Sequence, residues 1–177
     1  MKIGLVIPWR PTPTRLRPLQ AVLEWYETNL PDIEIIYADK PGEFWSAAGS
    51  RNLGVRKAQE AGCDIVILND ADTLPELSSL LEAIDAAQSD GMIHNPYRIC
   101  KYFDMRMSEL FYADMNPEIL KHTLYTEANG GVWVCTPQAW WVSASFKITM
   151  SQPASCAFLT PKLRLPAADQ NSPGLSA

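Results

Sequence analysis

The chain lacks several of the patterns by which common classes of protein are recognised. No apolar run approaches the ~20 residues that cross a bilayer as a helix, and the short apolar run behind Met1 has no cleavage site of a secretory signal. The net charge is −5 and there is no basic tract, which argues against nucleic acid as a partner. The two histidines, His94 and His122, stand apart from each other and from any nucleophile, so we interpret both as structural.

The cysteines also lack the spacing of a metal or redox site. No two of them form a C-x-x-C pair, so a zinc site has little support. We interpret all four as reduced thiols and expect a cytoplasmic protein. They are Cys63, Cys100, Cys135 and Cys156.

Two glycine-rich phosphate-binding patterns are absent as well. There is no G-x-x-x-x-G-K-[ST] sequence, which excludes a P-loop ATPase. A dinucleotide-binding domain has G-x-G-x-x-G after its first strand, whereas this chain has Pro8-Trp9-Arg10-Pro11 there. A phosphatase of the haloacid-dehalogenase type has a threonine two residues after its second aspartate, and Leu74 occupies that position here.

The most informative feature that is present is a pair of carboxylates behind an apolar run. Residues 65–68 are four consecutive aliphatic residues, which is typical of a strand buried on both faces of a parallel sheet. Asp70 and Asp72 follow directly, at the strand end where open α/β sheets bind their ligands. Adjacent carboxylates repel each other unless a cation lies between them, and Mg²⁺ or Mn²⁺ prefers such oxygen ligands. The alternative is that one carboxylate caps the next helix and the other is solvated.

The apolar periodicity predicts strands and helices in alternation over residues 3–94. Thr14 is predicted to cap the first helix, Gly62 to end the second, and Thr73 with Glu76 to open the third as a capping box. The order β-α-β-α-β-α-β predicts an α/β fold with a mostly parallel sheet and helices on both faces. The predicted strands are 3–7, 33–38, 65–68 and 91–94, and the predicted helices are 15–29, 46–61 and 73–88.

Beyond residue 95 the periodicity weakens, and the composition changes after Trp141. Residues 99–124 are compatible with one or two helices or with a loop over a site. The last 36 residues contain a single acidic residue, Asp169. We therefore predict one domain over residues 1–141 and an atypical, partly disordered tail over 142–177. A frameshift or truncation near codon 141 is one hypothesis for this change.

Four short motifs occur in the order and spacing of a known family. The first predicted strand ends in Val6-Ile7-Pro8, the second ends at Asp39, the second helix carries Ala48-Gly49-Ser50-Arg51-Asn52-Leu53-Gly54, and Asp70-Ala71-Asp72 follows the third strand. Over residues 3–90 the chain resembles nucleotide-sugar glycosyltransferases of the GT-A fold, a Rossmann-related fold, and is similar to family 2. Its Pro-Trp-Arg opening is similar to a subset of phage and bacterial members.

The resemblance implies a donor site. Asp72, together with Asp70, would bind Mn²⁺ or Mg²⁺, and the donor would be a nucleotide sugar, with a UDP-linked sugar as the first expectation. For Arg10 and Arg51 a surface salt bridge or an exposed side chain is an almost equally good interpretation, and Asn52 is as compatible with stabilising a turn. The residues implied in nucleotide-sugar binding are Pro8, Arg10, Asp39, Arg51, Asn52 and Asp70.

The acceptor side is less well matched. Gly130-Gly131 resembles the glycine pair that precedes the acceptor segment in this family, but the acidic residue expected some tens of residues later is absent. Glu127 is a weak substitute for that general base, and the acceptor is not identified by the sequence. Two alternatives therefore stay open: a catalytically inactive nucleotide-binding remnant, and a nucleotidyltransferase. For the tryptophans Trp133, Trp140 and Trp141, a sugar platform and ordinary core packing are both compatible, and for Trp133 we favour the core.

Overall fold

A computed structural model describes residues 1–126, 130–142, 149–150 and 155–158 of the chain. These residues form a six-stranded sheet and a four-stranded sheet with five α-helices. The strands are β1 (Ile3–Pro8), β2 (Glu34–Ala38), β3 (Ile65–Asn69), β4 (Thr73–Pro75), β5 (His94–Asn95), β6 (Ile99–Tyr102), β7 (Thr123–Thr126), β8 (Val132–Cys135), β9 (Thr149–Met150) and β10 (Ser155–Phe158). The helices are α1 (Leu16–Asn29), α2 (Ala47–Glu60), α3 (Leu77–Asp90), α4 (Met105–Tyr112) and α5 (Pro137–Val142), and a short 3₁₀ helix (Pro13–Arg15) precedes α1.

The larger sheet has the strand order β2-β1-β3-β8-β5-β9. Strand β1 pairs in parallel with β2 and β3, and β8 runs antiparallel to β3 and β5. Because β9 is parallel to β5, β8 runs against the other strands of this sheet. The predicted α/β class with a mostly parallel sheet is therefore confirmed. The smaller sheet, β4-β10-β6-β7, uses short strands from the region whose periodicity is weak.

Helices cover both faces of the larger sheet, as predicted. Alternate residues of β1 show this directly: Leu5 and Ile7 pack with α1 and α3, whereas Val6 packs with α2. All three side chains are fully buried. Double-sided burial explains why β1 and β3 are continuous apolar runs rather than alternating ones. In the described part of the chain, no helix is long and apolar enough to span a membrane.

The third helix begins later than predicted, and the capping box at Thr73 is wrong. Thr73 lies in strand β4 and is fully buried, and α3 begins at Leu77. Glu76 is the N-cap, since its carboxylate accepts hydrogen bonds from the backbone N–H groups of Ser78 and Ser79. A side chain with two oxygens satisfies two of the unpaired N–H groups at a helix start, which is why the cap moves from Thr73 to Glu76.

The predicted end of α2 is confirmed, whereas the predicted cap of α1 and the predicted state of one cysteine are wrong. Gly62 has φ +74° just after α2, as a helix-ending glycine requires. Thr14 does not cap α1, because it lies inside the 3₁₀ helix and Arg15 is the N-cap. The interpretation of four reduced thiols is wrong for Cys100, which is disulfide-bonded, whereas Cys63 and Cys135 are free and buried.

Both histidines have local partners. The ring Nε2 of His94 lies 3.0 Å from a carboxylate oxygen of Asp90, one turn earlier at the end of α3. The ring Nδ1 of His122 lies 2.8 Å from the carbonyl oxygen of Leu120. These contacts agree with a structural interpretation of the two residues.

Gly54 brings α2 into close contact with the sheet. A Cβ atom at this position would overlap Cγ1 of Val6 and lie 3.2 Å from the Cβ of Ala38. We expect Gly54→Ala to lower the free energy of unfolding by about 1–3 kcal/mol, because overpacking outweighs the ~1 kcal/mol by which alanine is the better helix former. Urea unfolding measures the change.

Gly49→Ala is the matched control in the same helix. A Cβ there would meet the distal part of the Lys40 side chain, which can move aside. We therefore expect this variant to unfold at the same or a slightly higher urea concentration than the parent. Equal stability of the two glycine variants would contradict the close packing of α2 on β1.

Candidate functional site

The predicted site residues of three strands meet at one edge of the larger sheet. Because β2, β1 and β3 are adjacent and parallel, their carboxyl ends lie side by side. Pro8 is the last residue of β1 and pairs in register with Ala38, the last residue of β2. Asp39 therefore follows β2 beside the segment that follows β1, and Asp70 follows β3 on the other side. The structure thus brings together residues that are up to about 60 positions apart.

The segment that carries the two acidic residues is a hydrogen-bonded turn. The backbone N–H of Thr73 donates to the carbonyl of Asp70 at 3.2 Å, and the N–H of Asp70 donates to the carbonyl of Gly131 at 2.7 Å. Gly131 has φ +101°, a conformation that favours glycine. Gly131 therefore contributes backbone geometry to the acidic turn, which lies beside the start of β8.

The side chain of Asn69 stabilises this turn through hydrogen bonds. No motif of the sequence indicated a role for this residue. Its side chain is fully buried, and its Nδ2 donates to the carbonyls of Asp70 and Thr73 at 2.7 and 2.9 Å. Its Oδ1 accepts a hydrogen bond from the hydroxyl of Tyr26 in α1 at 2.9 Å. The available signal was a polar residue at the end of a fully buried apolar strand, because a buried amide requires partners.

Asp72 is an electrostatically unfavourable carboxylate. Burial, followed by repulsion from Asp70, raises its pKa from 3.8 to about 6, and the positive charge of Arg15 offsets part of this increase. At neutral pH the carboxylate is therefore charged in surroundings that disfavour its charge. A cation between the two carboxylates would remove the repulsion.

Arg51 joins Asp70 to α2 and β8. It lies in the first turns of α2, whose N-cap Ser46 accepts a hydrogen bond from the N–H of Gly49 at 3.1 Å. Its Nη2 lies 2.5 Å from Oδ1 of Asp70, and its Cζ lies 4.6 Å from the centroid of the Trp133 ring. Among the residues that the structure describes, neither the buried Nε of Arg51 nor the indole N–H of Trp133 has a hydrogen-bond partner. Two buried donors beside Asp70 are therefore unsatisfied among the described residues.

Arg10 and Asp39 form a bidentate ion pair. The Nε and Nη2 of Arg10 donate to the two carboxylate oxygens of Asp39 at 2.9–3.1 Å. These hydrogen bonds raise the pKa of Arg10. The Nη2 also donates to the carbonyls of Lys40 at 3.1 Å and Gly42 at 3.4 Å, so that Arg10 fixes the loop behind β2. A contact of Arg10 or Asp39 with a nucleotide stays a prediction.

Asn52 contacts a tryptophan of α5. Its Oδ1 accepts a hydrogen bond from the indole N–H of Trp140 at 2.9 Å, and the indole N–H of Trp141 donates to Gln59 at 3.1 Å. Both contacts dock α5 on α2. Trp133 is half-buried and packs against the core cluster on this face, as favoured from the sequence. Glu127, the weak candidate for a general base, lies outside the described residues.

The donor set fits a hard divalent cation that also binds substrate oxygens. In the described part of the chain no three His, Cys, Asp or Glu side chains are grouped so as to hold a metal. Mg²⁺-type ions in phosphate-transfer sites are commonly held by one or two carboxylates, with phosphate oxygens and water as the remaining ligands. Asp70 and Asp72 correspond to that incomplete set.

Comparison with known proteins gives likeness of structure only. No protein-family model matches the chain, and no curated protein matches it. Among solved structures, the chain is similar to a glycosyltransferase involved in the glycosylation of the major capsid of PBCV-1, with 13% identity and a TM-score of 0.47 over 81% of this chain and 64% of that one. It is similar to a mutant of Drosophila β1,4-galactosyltransferase 7 complexed with manganese, UDP-Gal and xylobiose, with 15% identity and a TM-score of 0.49 over 79% and 50%.

A synthase of another kind is similar to the same degree. The structure of 4-diphosphocytidyl-2C-methyl-D-erythritol synthase matches with 11% identity and a TM-score of 0.49 over 86% of this chain and 88% of that one. Glycosyltransferases are thus among the similar structures, as the sequence motifs predict. The chain spans about two thirds of the first glycosyltransferase and half of the second. Identities this low do not transfer an activity, so the function has to follow from the residues of the site.

Proposed function

We propose that the chain is a metal-dependent glycosyltransferase that moves a sugar from a UDP-linked donor to an acceptor hydroxyl. The observation that carries this proposal is the pair Asp70 and Asp72 at the carboxyl edge of the sheet, with the pKa of Asp72 raised by burial and by its neighbour. An acidic side chain whose charge destabilises the folded chain is expected at a site where a bound ligand compensates for that charge. The edge of an open α/β sheet is also where nucleotides bind.

In this proposal Asp72 and Asp70 hold Mn²⁺ or Mg²⁺ together with the diphosphate. The metal, when bound, stabilises the negative charge of the leaving nucleotide. Arg51 keeps Asp70 in place through its Nη2, and its positive charge near the start of a helix favours a diphosphate at this edge. Asp39, oriented by Arg10, keeps a lone pair on Oδ2 for a donor on the base, because Oδ1 already accepts two hydrogen bonds and Oδ2 only one.

The metal affinity is expected to depend on pH in a defined window. The proton on Asp72 competes with the metal, and burial with repulsion from Asp70 raises the pKa of that carboxyl to about 6. Binding of Mn²⁺ without nucleotide should therefore weaken about tenfold per pH unit below pH 6 and change little above it. Electron paramagnetic resonance of free Mn²⁺ measures this directly. A midpoint at pH 4 would contradict the raised pKa of Asp72.

Product analysis tests the transferase activity. Transfer breaks the bond between the sugar's anomeric carbon and the phosphate oxygen, joins that carbon to the acceptor oxygen, and passes the hydroxyl proton to a base. Incubation with UDP-sugars and Mn²⁺, with and without candidate acceptors, should release UDP. Pyrophosphate release from UTP and a sugar 1-phosphate would instead identify a nucleotidyltransferase. Metal-dependent binding of UDP without either product would identify a nucleotide-binding remnant.

Of the two alternatives to a glycosyltransferase, the sequence favours one. A catalytically inactive remnant is favoured by one feature of the sequence, since after Glu127 the chain has no acidic residue before Asp169. The division of the chain at residue 141 and a cytoplasmic location stay predictions. Both are part of the proposal. Disulfides are rare in cytosolic proteins, so a cytoplasmic location has to be reconciled with the disulfide at Cys100.

A further inference from the structure

Arg15 is held between two tryptophan rings at the same edge of the sheet. Its Cζ lies 5.5 Å from the ring centroid of Trp9 and 5.7 Å from that of Trp45. Trp9 is 9% exposed and follows β1 directly, whereas Trp45 is 40% exposed and lies just before α2. Aromatic faces attract a guanidinium and restrict its orientation, so Arg15 is fixed in place.

The guanidinium of Arg15 differs from those of Arg10 and Arg51 in its hydrogen bonding to the described residues. The guanidinium of Arg10 donates to Asp39 and to two carbonyls, and that of Arg51 donates to Asp70. The half-buried Arg15 side chain has no hydrogen bond or ion pair in the part of the chain that the structure describes. There it interacts with the two tryptophan rings instead. A guanidinium has five N–H donors, and none of those of Arg15 is among the buried unpartnered atoms, so they are accessible to solvent and to a ligand.

Arg15 also lies within electrostatic reach of the acidic turn. Its positive charge lowers the pKa of Asp72, opposing the effect of burial. The loop that carries Trp45 is fixed by the hydrogen bonds from Arg10 to the carbonyls of Lys40 and Gly42. Arg10 thus helps to position the loop that carries Trp45.

We propose that Arg15, held by Trp9 and Trp45, is the cation that binds the diphosphate of the substrate. The inference rests on the proposed function, because it assigns a phosphate-binding residue to that site. The planar guanidinium matches two phosphate oxygens at once, and its position is set before the ligand arrives. The other interpretation is that Arg15 only joins the two rings, in which case its loss would affect stability and not phosphate binding.

Calorimetric titration of three ligands separates these interpretations. We compare the parent chain with Arg15→Gln and with Arg17→Gln, a matched control at an exposed arginine that contacts the Tyr112 ring instead. The ligands are UDP with Mn²⁺, inorganic pyrophosphate with Mn²⁺, and uridine alone. Arg15→Gln should weaken UDP and pyrophosphate at least about tenfold, as expected for a charge-assisted hydrogen bond, and leave uridine unchanged. Arg17→Gln should leave all three unchanged.

The other possible results of these titrations also test whether Arg15 binds phosphate. Unchanged binding of both phosphate ligands to Arg15→Gln, or an equal loss for uridine, would overturn it while the proposed function stands. If the parent binds pyrophosphate through Arg15 but not UDP, the proposed function fails and the phosphate role of Arg15 stands. If the parent binds neither phosphate ligand, both are overturned. If Arg15→Gln does not fold, Arg15→Lys replaces it, and parent-like affinity of that variant for both phosphate ligands would overturn the requirement for a planar guanidinium.

Discussion

Replacing Asp72 by asparagine is expected to abolish metal-dependent nucleotide binding and at the same time to stabilise the unliganded chain. Burial and repulsion from Asp70 raise the pKa of Asp72 from 3.8 to about 6. One pKa unit corresponds to ~1.4 kcal/mol, and solvent screening at a half-buried carboxylate reduces its effect. We therefore expect Asp72→Asn to raise the free energy of unfolding at pH 7.5 by about 1–2 kcal/mol.

The pH dependence of this stabilisation has a definite sign. The folded chain binds the Asp72 proton more tightly than the unfolded chain, so stability falls as the pH rises from about 4 to about 6. The advantage of Asp72→Asn should therefore be absent at pH 3.5, grow between pH 4 and 6, and then stay constant. Urea unfolding at a series of pH values measures it.

The Asp72→Asn variant is also tested for nucleotide binding and compared with a control variant that lacks a different carboxylate. Calorimetry of UDP with Mn²⁺ should show at least about 100-fold weaker binding to Asp72→Asn, since even the outer partners of metal ligands account for ~10–100-fold. Asp85→Asn removes a carboxylate from the exposed side of α3 and should change neither property. Destabilisation by Asp72→Asn, with UDP binding retained, would mean that the carboxylate is a structural acid.

Replacing Asn69 by leucine is expected to cause the largest loss of stability. Its amide joins the Tyr26 hydroxyl to the carbonyls of Asp70 and Thr73, and the hydrogen bonds to Tyr26 and Thr73 are buried whereas that to Asp70 is partly buried. Leucine has a similar size but leaves three polar groups without this partner, at about 1–3 kcal/mol for each. We expect about 3–5 kcal/mol in total, because the two carbonyls belong to a turn that can relax.

Tyr26→Phe is the matched control for Asn69→Leu. It removes one hydrogen bond of the same network and leaves Asn69 bonded to the turn, so we expect a loss of about 1 kcal/mol. Urea unfolding compares the two variants. The binding of Mn²⁺ should weaken in Asn69→Leu and stay parent-like in Tyr26→Phe, because only the former changes the positions of Asp70 and Asp72. A smaller loss for Asn69→Leu than for Tyr26→Phe would contradict the network.

Local pattern was sufficient to predict the elements that place the site. Strands β1 and β3 are predicted because burial on both faces requires continuous apolar residues. The end of α2 is predicted because Gly62 tolerates a positive φ. Once β2 and β3 are known to pair in parallel with the two sides of β1, the position of Asp39 and Asp70 on either side of the segment that follows β1 is given by the topology.

Interactions between distant segments could not be predicted in the same way. Asn69 depends on Tyr26, 43 residues away, and Arg15 depends on Trp9 and Trp45, which lie on either side of α1 and β2. The disulfide at Cys100 requires a tertiary contact that spacing does not reveal. These residues have no sequence motif because their roles come from partners, whereas the acidic pair is recognisable since both members follow one strand.

The same holds for the start of α3. Thr73 and Glu76 satisfy the spacing of a capping box, yet Thr73 is the first residue of strand β4. Pairing of β4 with β10 takes the backbone of Thr73 away from the helix, and Glu76 is the next side chain able to accept from two N–H groups. A tertiary strand pairing therefore overrides a correct local signal.

Calorimetric titration of UDP into the parent chain, with Mn²⁺ and then with EDTA, decides whether this edge of the sheet is a metal-dependent nucleotide site. We expect saturable binding with Mn²⁺ at pH 7.5 that disappears when the metal is chelated, because Asp70 and Asp72 would hold the ion that the diphosphate needs. Equal binding of UDP with and without Mn²⁺, or no binding of UDP, GDP or CDP in either buffer, would contradict a metal-dependent nucleotide site at this edge of the sheet.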